Sequence, residues 1–427
     1  MAKLPPFKNP LYPKHPSSEI FRKYSSSLAA KDPIPYHRLQ RTIDELAKKQ
    51  ITKDIKGIAH LQMRDTRCDD NTALLRAMSL AIEHLCPLVS VRVVCEDEMR
   101  AHGLGPIQYH YQYKLHQLFD KRLKDKFGVG VVEINISGDR KNVTRDLLEV
   151  FEKELNVNYF VANMEFEVDE VNFVNLLLRQ GYKRDITVEA VNDTCIVPPG
   201  EILKKDGTAY KVYKPWFETW MKMIGSDPGL YLDVKIPEGK IKFVEIPEKF
   251  EPGPPLSLFK LSPEQKEALL TYEQTEADAQ KALRKFVKKK LSEYDNDSRS
   301  SIINGLNSKL SPYLANGLIS SRSVLREVMN SKEKSKSTEF IRQLAWRDFY
   351  KHIVAEFPYV CMGVGMKIDN LEWVNNESDL TDWQNGTTGL PIIDAIMKEL
   401  NHTGYISNRA RMITLSYLVK DLLVDWR

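Results

Sequence analysis

The sequence predicts an α/β domain followed by an all-helical one, and three features carry that expectation. Between residues 57 and 195, five short apolar runs alternate with four amphipathic helical segments. That alternation is the pattern of a doubly wound parallel sheet, Rossmann-like in build. A stretch rich in Pro and Gly, 196–262, then breaks both periodicities. From 263 to 427 the apolar spacing is helical throughout.

Taken in order, residues 1–56 are rich in Lys, Pro and Ser and lack the apolar core of a signal peptide. They read as a partly disordered basic arm or as a targeting segment for nucleus or mitochondrion. "GIAHLQM" is the first strand and "TALLRAMSLAIEHL" the helix after it. "PLVSVRVVCE", "GVGVVEINIS", "NYFVANMEF" and "DITVEAV" supply four more strands. "YHYQYKLHQLFDKRLKDKF", "VTRDLLEVFEKEL" and "EVDEVNFVNLLLRQ" are the helices between them. Ligands of such sheets sit beyond the carboxyl ends of the strands, near a switch point. No G-x-G-x-x-G or P-loop is present, so the sequence does not support a dinucleotide held in that manner. Residues 196–262 read as a connector wrapped over a surface. The helical part opens at Ser262, a cap followed by Pro263 and Glu264.

With 427 residues, 42% of them hydrophobic, two or three domains with ample core are expected. No apolar run reaches the roughly 20 residues of a membrane span, so the expectation is a soluble chain with no membrane partner. A net charge of +4 is too small to demonstrate a polyanion partner. Cys68, Cys86, Cys95, Cys195 and Cys361 show neither a disulfide framework nor zinc spacing. A reducing intracellular compartment and no metal site follow as expectations.

Three stretches concentrate chemistry. In "NSKLSPYLANGLISSR", Ser308 and Ser311 flank Lys309 ahead of a Pro-started helix. The pattern suits either a phosphate site or an ordinary cap. In "FIRQLAWRDFYKHI", Gln343, Trp346, Arg347 and Tyr350 recur at helical spacing. Such a face suits stacking on nucleic-acid bases, and equally a helix-packing interface. In "NHTGYISNRARMITLSYLVKDLLVDWR", Asn408 and Arg411 share a face and Arg409 turns aside. Leu415, Leu418 and Leu422 continue the spacing to Trp426-Arg427 without a stop signal, so a helix is expected to run off the end.

In order along the chain, "HLQMRDTRCDDNTALLRA", "CIVPPGEILKKDGTAYKVYKPW", "LSPYLANGLISSR", "AWRDFYKH" and the closing block from "WQNGTTGLP" to "DWR" resemble the DNA photolyase and cryptochrome family. Within it, "WRDFYKH" and "TGYISNRARM" are most similar to fungal cyclobutane pyrimidine dimer photolyases. The resemblance implies an α/β antenna domain over 57–195 and a helical FAD- and DNA-binding domain over 263–427. It also implies light-dependent repair of pyrimidine dimers in double-stranded DNA by a lyase, in which the dimer is flipped into a flavin pocket. Base flipping by photolyases is itself a general example of the mechanism.

By position, the resemblance places FAD contacts on Tyr294, Asn307, Ser308, Lys309, Leu310, Ser311 and Arg411. DNA contacts fall on Gln343, Trp346, Asn408 and Arg409, and an electron relay on Trp373 and Trp426. Contacts to an antenna, a folate such as 5,10-methenyltetrahydrofolate, fall on Asp169, Glu170 and Cys361. A monomer is expected.

The sequence departs from the family at four points. Asn307 stands for a common Thr, Gln343 for the glutamate of dimer photolyases, and Tyr405 for a common Trp. The family pattern also continues past "DWR", with a third relay tryptophan and acidic partners for the arginine matched by Arg411. The expectation is therefore a truncated helical domain with a buried, unpaired Arg411 and an uncovered apolar face. Two other functions stay open: a cryptochrome-type flavin photoreceptor without repair, and a DNA-binding remnant without flavin.

Overall fold

The structure is a computed structural model that describes residues 34–49, 54–138, 140–242, 246–272, 274–294, 307–332, 337–362 and 373–426. Its first element is a helix, α1 (Pro35–Ala47), within the expected basic arm. Proline at its start presets the backbone, and Tyr36, Leu39 and Thr42 recur along one buried face. That face packs on α6 (Val168–Tyr182). The remainder of the arm, 1–33, lies outside the described residues.

The five predicted strands form one parallel sheet: β1 (Ile58–Leu61), β2 (Leu88–Val94), β3 (Gly130–Asn135), β4 (Tyr159–Asn163) and β5 (Thr187–Val191). Their order is β3-β2-β1-β4-β5, so the winding reverses between β1 and β4. Helices cover both faces, as a parallel sheet buried on two sides requires. They are α2 (Thr72–Glu83), α3 (Glu96–Ala101), α4 (Pro106–Phe127), α5 (Arg140–Val150) and α6. Proline opens α4 and Gly128, at φ +67°, closes it.

The stretch expected as a connector holds a helix, α7 (Tyr213–Ser226), and a short one, α8 (Pro228–Leu232). Trp216 and Trp220, one turn apart on α7, are the bulkiest fully buried side chains of the described chain. Pro and Gly on both sides mask this segment when helical spacing is weighed over the whole stretch. The helical part that opens at Ser262 begins with two helices. In α9 (Pro263–Leu270), Ser262 and Gln265 form a reciprocal capping box. In α10 (Glu276–Lys289), Thr275 and Asp278 form another. The second box restarts the helix where sequence periodicity alone runs on.

The remaining helices are α11 (Ser311–Ala315), α12 (Ser321–Met329), α13 (Thr338–Glu356), α14 (Glu377–Asn385), α15 (Pro391–Thr403) and α16 (Asn408–Lys420). The last does not run off the chain as expected. It stops at Lys420, and Leu423 adopts φ +51°. The carbonyl of Leu423 accepts from the Val374 amide at 2.9 Å, and Asn375 Oδ1 accepts from the Asp425 amide at 2.8 Å. Pairing with the segment before α14 ends the helix without Gly or Pro. Among the described residues no helix is long and apolar enough to cross a membrane, and no cluster of His, Cys, Asp and Glu could hold a metal.

Candidate functional site

Two short elements bring part of the predicted cofactor set together. Ser407 caps α16 by accepting from the Ala410 amide at 3.2 Å, which puts Asn408, Arg409 and Arg411 in the first turn. Proline at the second position fixes the start of α11, behind a buried Leu310 and with Lys309 at φ +55°. The Ser311 side chain lies close enough to the Tyr405 hydroxyl to influence its protonation. Ser311, Tyr405, Asn408 and Arg411 thus share a cleft of about 610 Å³, closed opposite by the start of α4. Gly404 makes this closure possible: at φ +74°, any Cβ there would lie 2.9 Å from Ile107 Cγ2.

Burial raises the Tyr405 pKa, against the nearby Ser311 hydroxyl and the Arg411 charge, so its hydroxyl stays protonated. A guanidinium, two hydroxyls and an amide are a donor set that suits a phosphorylated cofactor, and the volume is that of a ligand pocket. The residues fit FAD in that respect. Two expectations are corrected. Arg411 is exposed to the cleft rather than buried, so no large penalty attaches to it. The helix at Ser311 has five residues, too short for the helix-terminus phosphate site read from the sequence.

The other predicted contacts are dispersed. Asn307, Ser308 and Lys309 precede α11, with Ser308 Oγ accepting from the Leu310 amide at 3.4 Å, and do not line the cleft. Tyr294 is 8% exposed and packs edge-on against Phe286 and Phe340. Arg409 is exposed outside the cleft lining. Trp373 and Trp426 sit on the two segments paired through Val374 and Leu423, and Trp426 is 48% exposed, unlike a packed core tryptophan. Met412 and Leu415 also face outward.

On α13 the predicted face divides. Trp346 stacks on Tyr213 at 3.6 Å between centroids and 7° between planes, and the exposed Tyr350 lies 5.5 Å from it at 28° between planes. Gln343 donates from Nε2 to Glu339 Oε1 at 3.1 Å, so a carboxylate lies one turn before the position where Gln replaces Glu. Arg347 turns away, donating to the Thr194 carbonyl at 2.6 Å and Ser321 Oγ at 2.9 Å.

In the α/β domain, Asp169 and Glu170 begin α6 and are held by His102 (3.5 Å) and Arg64 (2.9 Å). Cys361 lies beside the same helix start, its thiol pushed up to about 12 by burial and by the charges of Glu167 and Glu170. All three predicted antenna residues therefore meet. Glu170 and His102 also edge a cavity of about 920 Å³ beyond the carboxyl ends of β1–β3, lined by Tyr109, Tyr113 and Phe173. Ser90, His60 and Asp65 line up at 3.0 Å spacings like a hydrolase triad. Ser90 and His60 are completely buried, so the chain of bonds is a polar strut with no substrate access.

Sequence reasoning missed the joint between the halves. At the sheet's switch point the loop after β1 meets the turn after α11. Thr66 Oγ1 donates to the Asn316 carbonyl at 2.7 Å and Arg67 Nη1 to the Gly317 carbonyl at 3.1 Å. Asp193 accepts from Arg67 at 2.5 Å and from Arg322 at 2.7 Å, and Asp70 pairs with Arg322 at 3.0 Å. Two flanking arginines hold the Asp193 carboxyl far below the usual range despite burial. Asp193 lies 126 and 129 residues from its two arginines, and no local pattern marks such a pairing.

The comparisons with known proteins agree with this architecture. The family description "DNA photolyase" matches residues 58–234, and "FAD binding domain of DNA photolyase" matches residues 340–427. A deoxyribodipyrimidine photo-lyase of Neurospora crassa is 32% identical over 92% of this chain and 67% of its own length. A mitochondrial deoxyribodipyrimidine photo-lyase of Saccharomyces cerevisiae is 30% identical over 90% of this chain and 73% of its own. Among solved structures, a bacterial class III photolyase from Agrobacterium tumefaciens superposes with a TM-score of 0.67 at 25% identity, covering 88% of this chain and 74% of that one.

Proposed function

This chain belongs to the DNA photolyase family, and we propose that it is a light-dependent lyase that splits cyclobutane pyrimidine dimers in double-stranded DNA. The observation that carries the reading is the single cleft shared by Ser311 of α11 with Asn408 and Arg411 of α16, nearly a hundred residues apart in sequence yet gathered together. There Arg411 and Ser311 would hold a phosphate of FAD and Asn408 would hydrogen-bond a ring edge. When bound and reduced, FAD supplies the photoexcited electron that opens the cyclobutane ring, chemistry that belongs to the cofactor. The chain's part is to position and shield. Trp346, held flat by Tyr213, offers a rigid stacking surface to a base. Gln343, bonded to Glu339, offers a neutral hydrogen bond to a base edge.

Arg409 is assigned to phosphate on the DNA backbone, and Tyr294 with Asn307–Leu310 to the framework around the flavin. Trp373 and Trp426 are assigned to electron delivery. The meeting of Asp169, Glu170 and Cys361 beside a large cavity supports a folate antenna there. A monomer working with DNA in nucleus or mitochondrion completes the reading. The second compartment is the one in the yeast relative's name.

The test is the absorption spectrum of the purified chain, followed by repair of dimer-containing DNA in light and in darkness. Flavin bands with light-dependent repair support the proposal. Flavin bands without repair would favour a photoreceptor. A colourless protein whose DNA affinity ignores lesions and falls with salt would leave only a DNA-binding remnant.

A further inference from the structure

Tryptophan and tyrosine are the side chains that most readily lose one electron, and rings in contact pass electrons between them. An oxidised indole is far more acidic than indole itself, so it keeps its oxidised state only when a base takes the N–H proton. Here such rings form a continuous series. Tyr350 is exposed; behind it come Trp346 at 5.5 Å, Tyr213 at 3.6 Å, Trp216 at 6.2 Å and Trp220 at 6.1 Å, each distance measured from the ring before. The last two rings are sealed from solvent.

Both buried indoles are bonded to bases. Trp216 Nε1 donates to His352 Nδ1 at 3.4 Å, and His352 Nε2 faces the Val197 carbonyl at 2.9 Å, which fixes Nδ1 as the acceptor. Trp220 Nε1 donates to Asp348 Oδ2 at 3.2 Å. Asp348 is completely buried; Oδ2 also accepts from the Ile196 amide at 2.7 Å, and Oδ1 has no hydrogen-bond partner, so the carboxylate holds fewer donors than its lone pairs could take. Burial raises this carboxyl to about 6 although Arg347 lies 3.7 Å away, which makes it a better base than an ordinary carboxylate. A merely structural tryptophan pair needs apolar walls and any acceptor; it does not need a carboxylate with an open lone pair.

We infer that Trp216 and Trp220 form a buried one-electron donor site that re-reduces Trp346 through Tyr213, with Asp348 taking the indole proton of Trp220. An oxidant removes one electron from Trp346, leaving a cation radical. One electron moves out along Tyr213 from Trp216 and is replaced from Trp220. The Trp220 N–H bond then breaks, its proton going to the Asp348 carboxylate, which becomes a carboxylic acid, and a neutral indolyl radical remains. An external one-electron reductant such as ascorbate returns the electron, and the proton moves back to the indole. The site would keep oxidising equivalents off the ring proposed to face bases. It does not rest on the repair reading, because the oxidant can be supplied from outside.

The experiment uses the whole chain without added flavin, a photoexcited ruthenium tris-bipyridine complex with persulfate as oxidant, and transient absorption with electron paramagnetic resonance as readouts. A long-lived neutral indolyl radical is expected. In Trp220→Phe the long-lived signal falls about tenfold or more, equivalent to about 1.4 kcal/mol in its driving force. In Asp348→Asn the shape is kept but the signal becomes that of a short-lived cation. Tyr213→Phe, at a half-exposed position, slows the appearance of the buried radical and serves if either core variant fails to fold. A signal unchanged in kind and lifetime in these variants would place the radical on other rings, Trp346, Tyr350 or the exposed Trp426, and overturn the inference.

Discussion

Replacing Asp193 by asparagine removes one charge from the joint between the two halves and leaves its shape. The wild-type carboxylate accepts from Arg67 and Arg322, and from the Thr72 amide at 3.1 Å and hydroxyl at 2.8 Å. Arg67, Asp193 and Arg322 are each about 95% buried or more. With Asp70 they balance, two cations against two anions. The neutral amide of Asp193→Asn would leave one guanidinium unpaired, and breaking a buried pair costs about 3–5 kcal/mol. That is a large share of a stability of about 5–15 kcal/mol. Because the charge sits between the halves, the loss falls first on their docking. All six tryptophans lie after residue 195, so urea unfolding followed by tryptophan fluorescence reports the helical half and far-ultraviolet circular dichroism the whole. The two curves should coincide in wild type and separate in Asp193→Asn. The double variant Arg67→Met, Asp193→Leu removes opposite charges together and leaves Arg322 to Asp70, so it should recover most of the loss. A single variant within about 1 kcal/mol of wild type, or a double variant no better than the single, would refute the reasoning.

Three further outcomes are expected. Gly317→Ala puts a Cβ 2.3 Å from the Arg64 carbonyl oxygen at φ +65°; melting should fall by several degrees, since strain of about 1–3 kcal/mol is added to a lost contact. Arg411→Gln should weaken FAD retention by roughly 10–150-fold, the worth of one charge-assisted bond, measured by titrating apoprotein, with helix content unchanged. Asp348 has a folded pKa raised to about 6 against roughly 3.9 unfolded, so the folded state binds the extra proton. Its contribution is therefore fully present below about pH 4 and lost as pH rises towards 6, by up to about 3 kcal/mol. Asp348→Asn should flatten the stability profile across that window in denaturation measured at stepped pH.

The parallel sheet was legible because each strand is an apolar run bounded by turn residues, and the helices between them carry a 3.6-residue stripe. The helix Tyr213–Ser226 was hidden by its flanks, although Trp216 and Trp220 alone place a buried stripe. Tyr36, Leu39 and Thr42 were equally visible, but lysines and prolines nearby weighed more. For the candidate site, resemblance found Ser311, Asn408 and Arg411, which the structure gathers in one cleft. Residue spacing alone could not, because the wall that closes them comes from Gly105–Gln108 of the other domain. Asp70, Asp193 and Arg322 were unreadable for the same reason: charges paired across more than a hundred residues leave no local trace.

The first helix has a consequence for how the chain is made. His37 pairs with Glu356, 319 residues later, and the Tyr36 hydroxyl donates to the Pro199 carbonyl at 2.6 Å. At about 5–20 residues per second of synthesis, the later of these partners, Glu356, reaches the ribosome exit roughly 15–60 s after the helix itself. Throughout that interval the helix has no complete seat, and any cellular factor that holds nascent apolar segments has its longest opportunity at Tyr36 and Leu39.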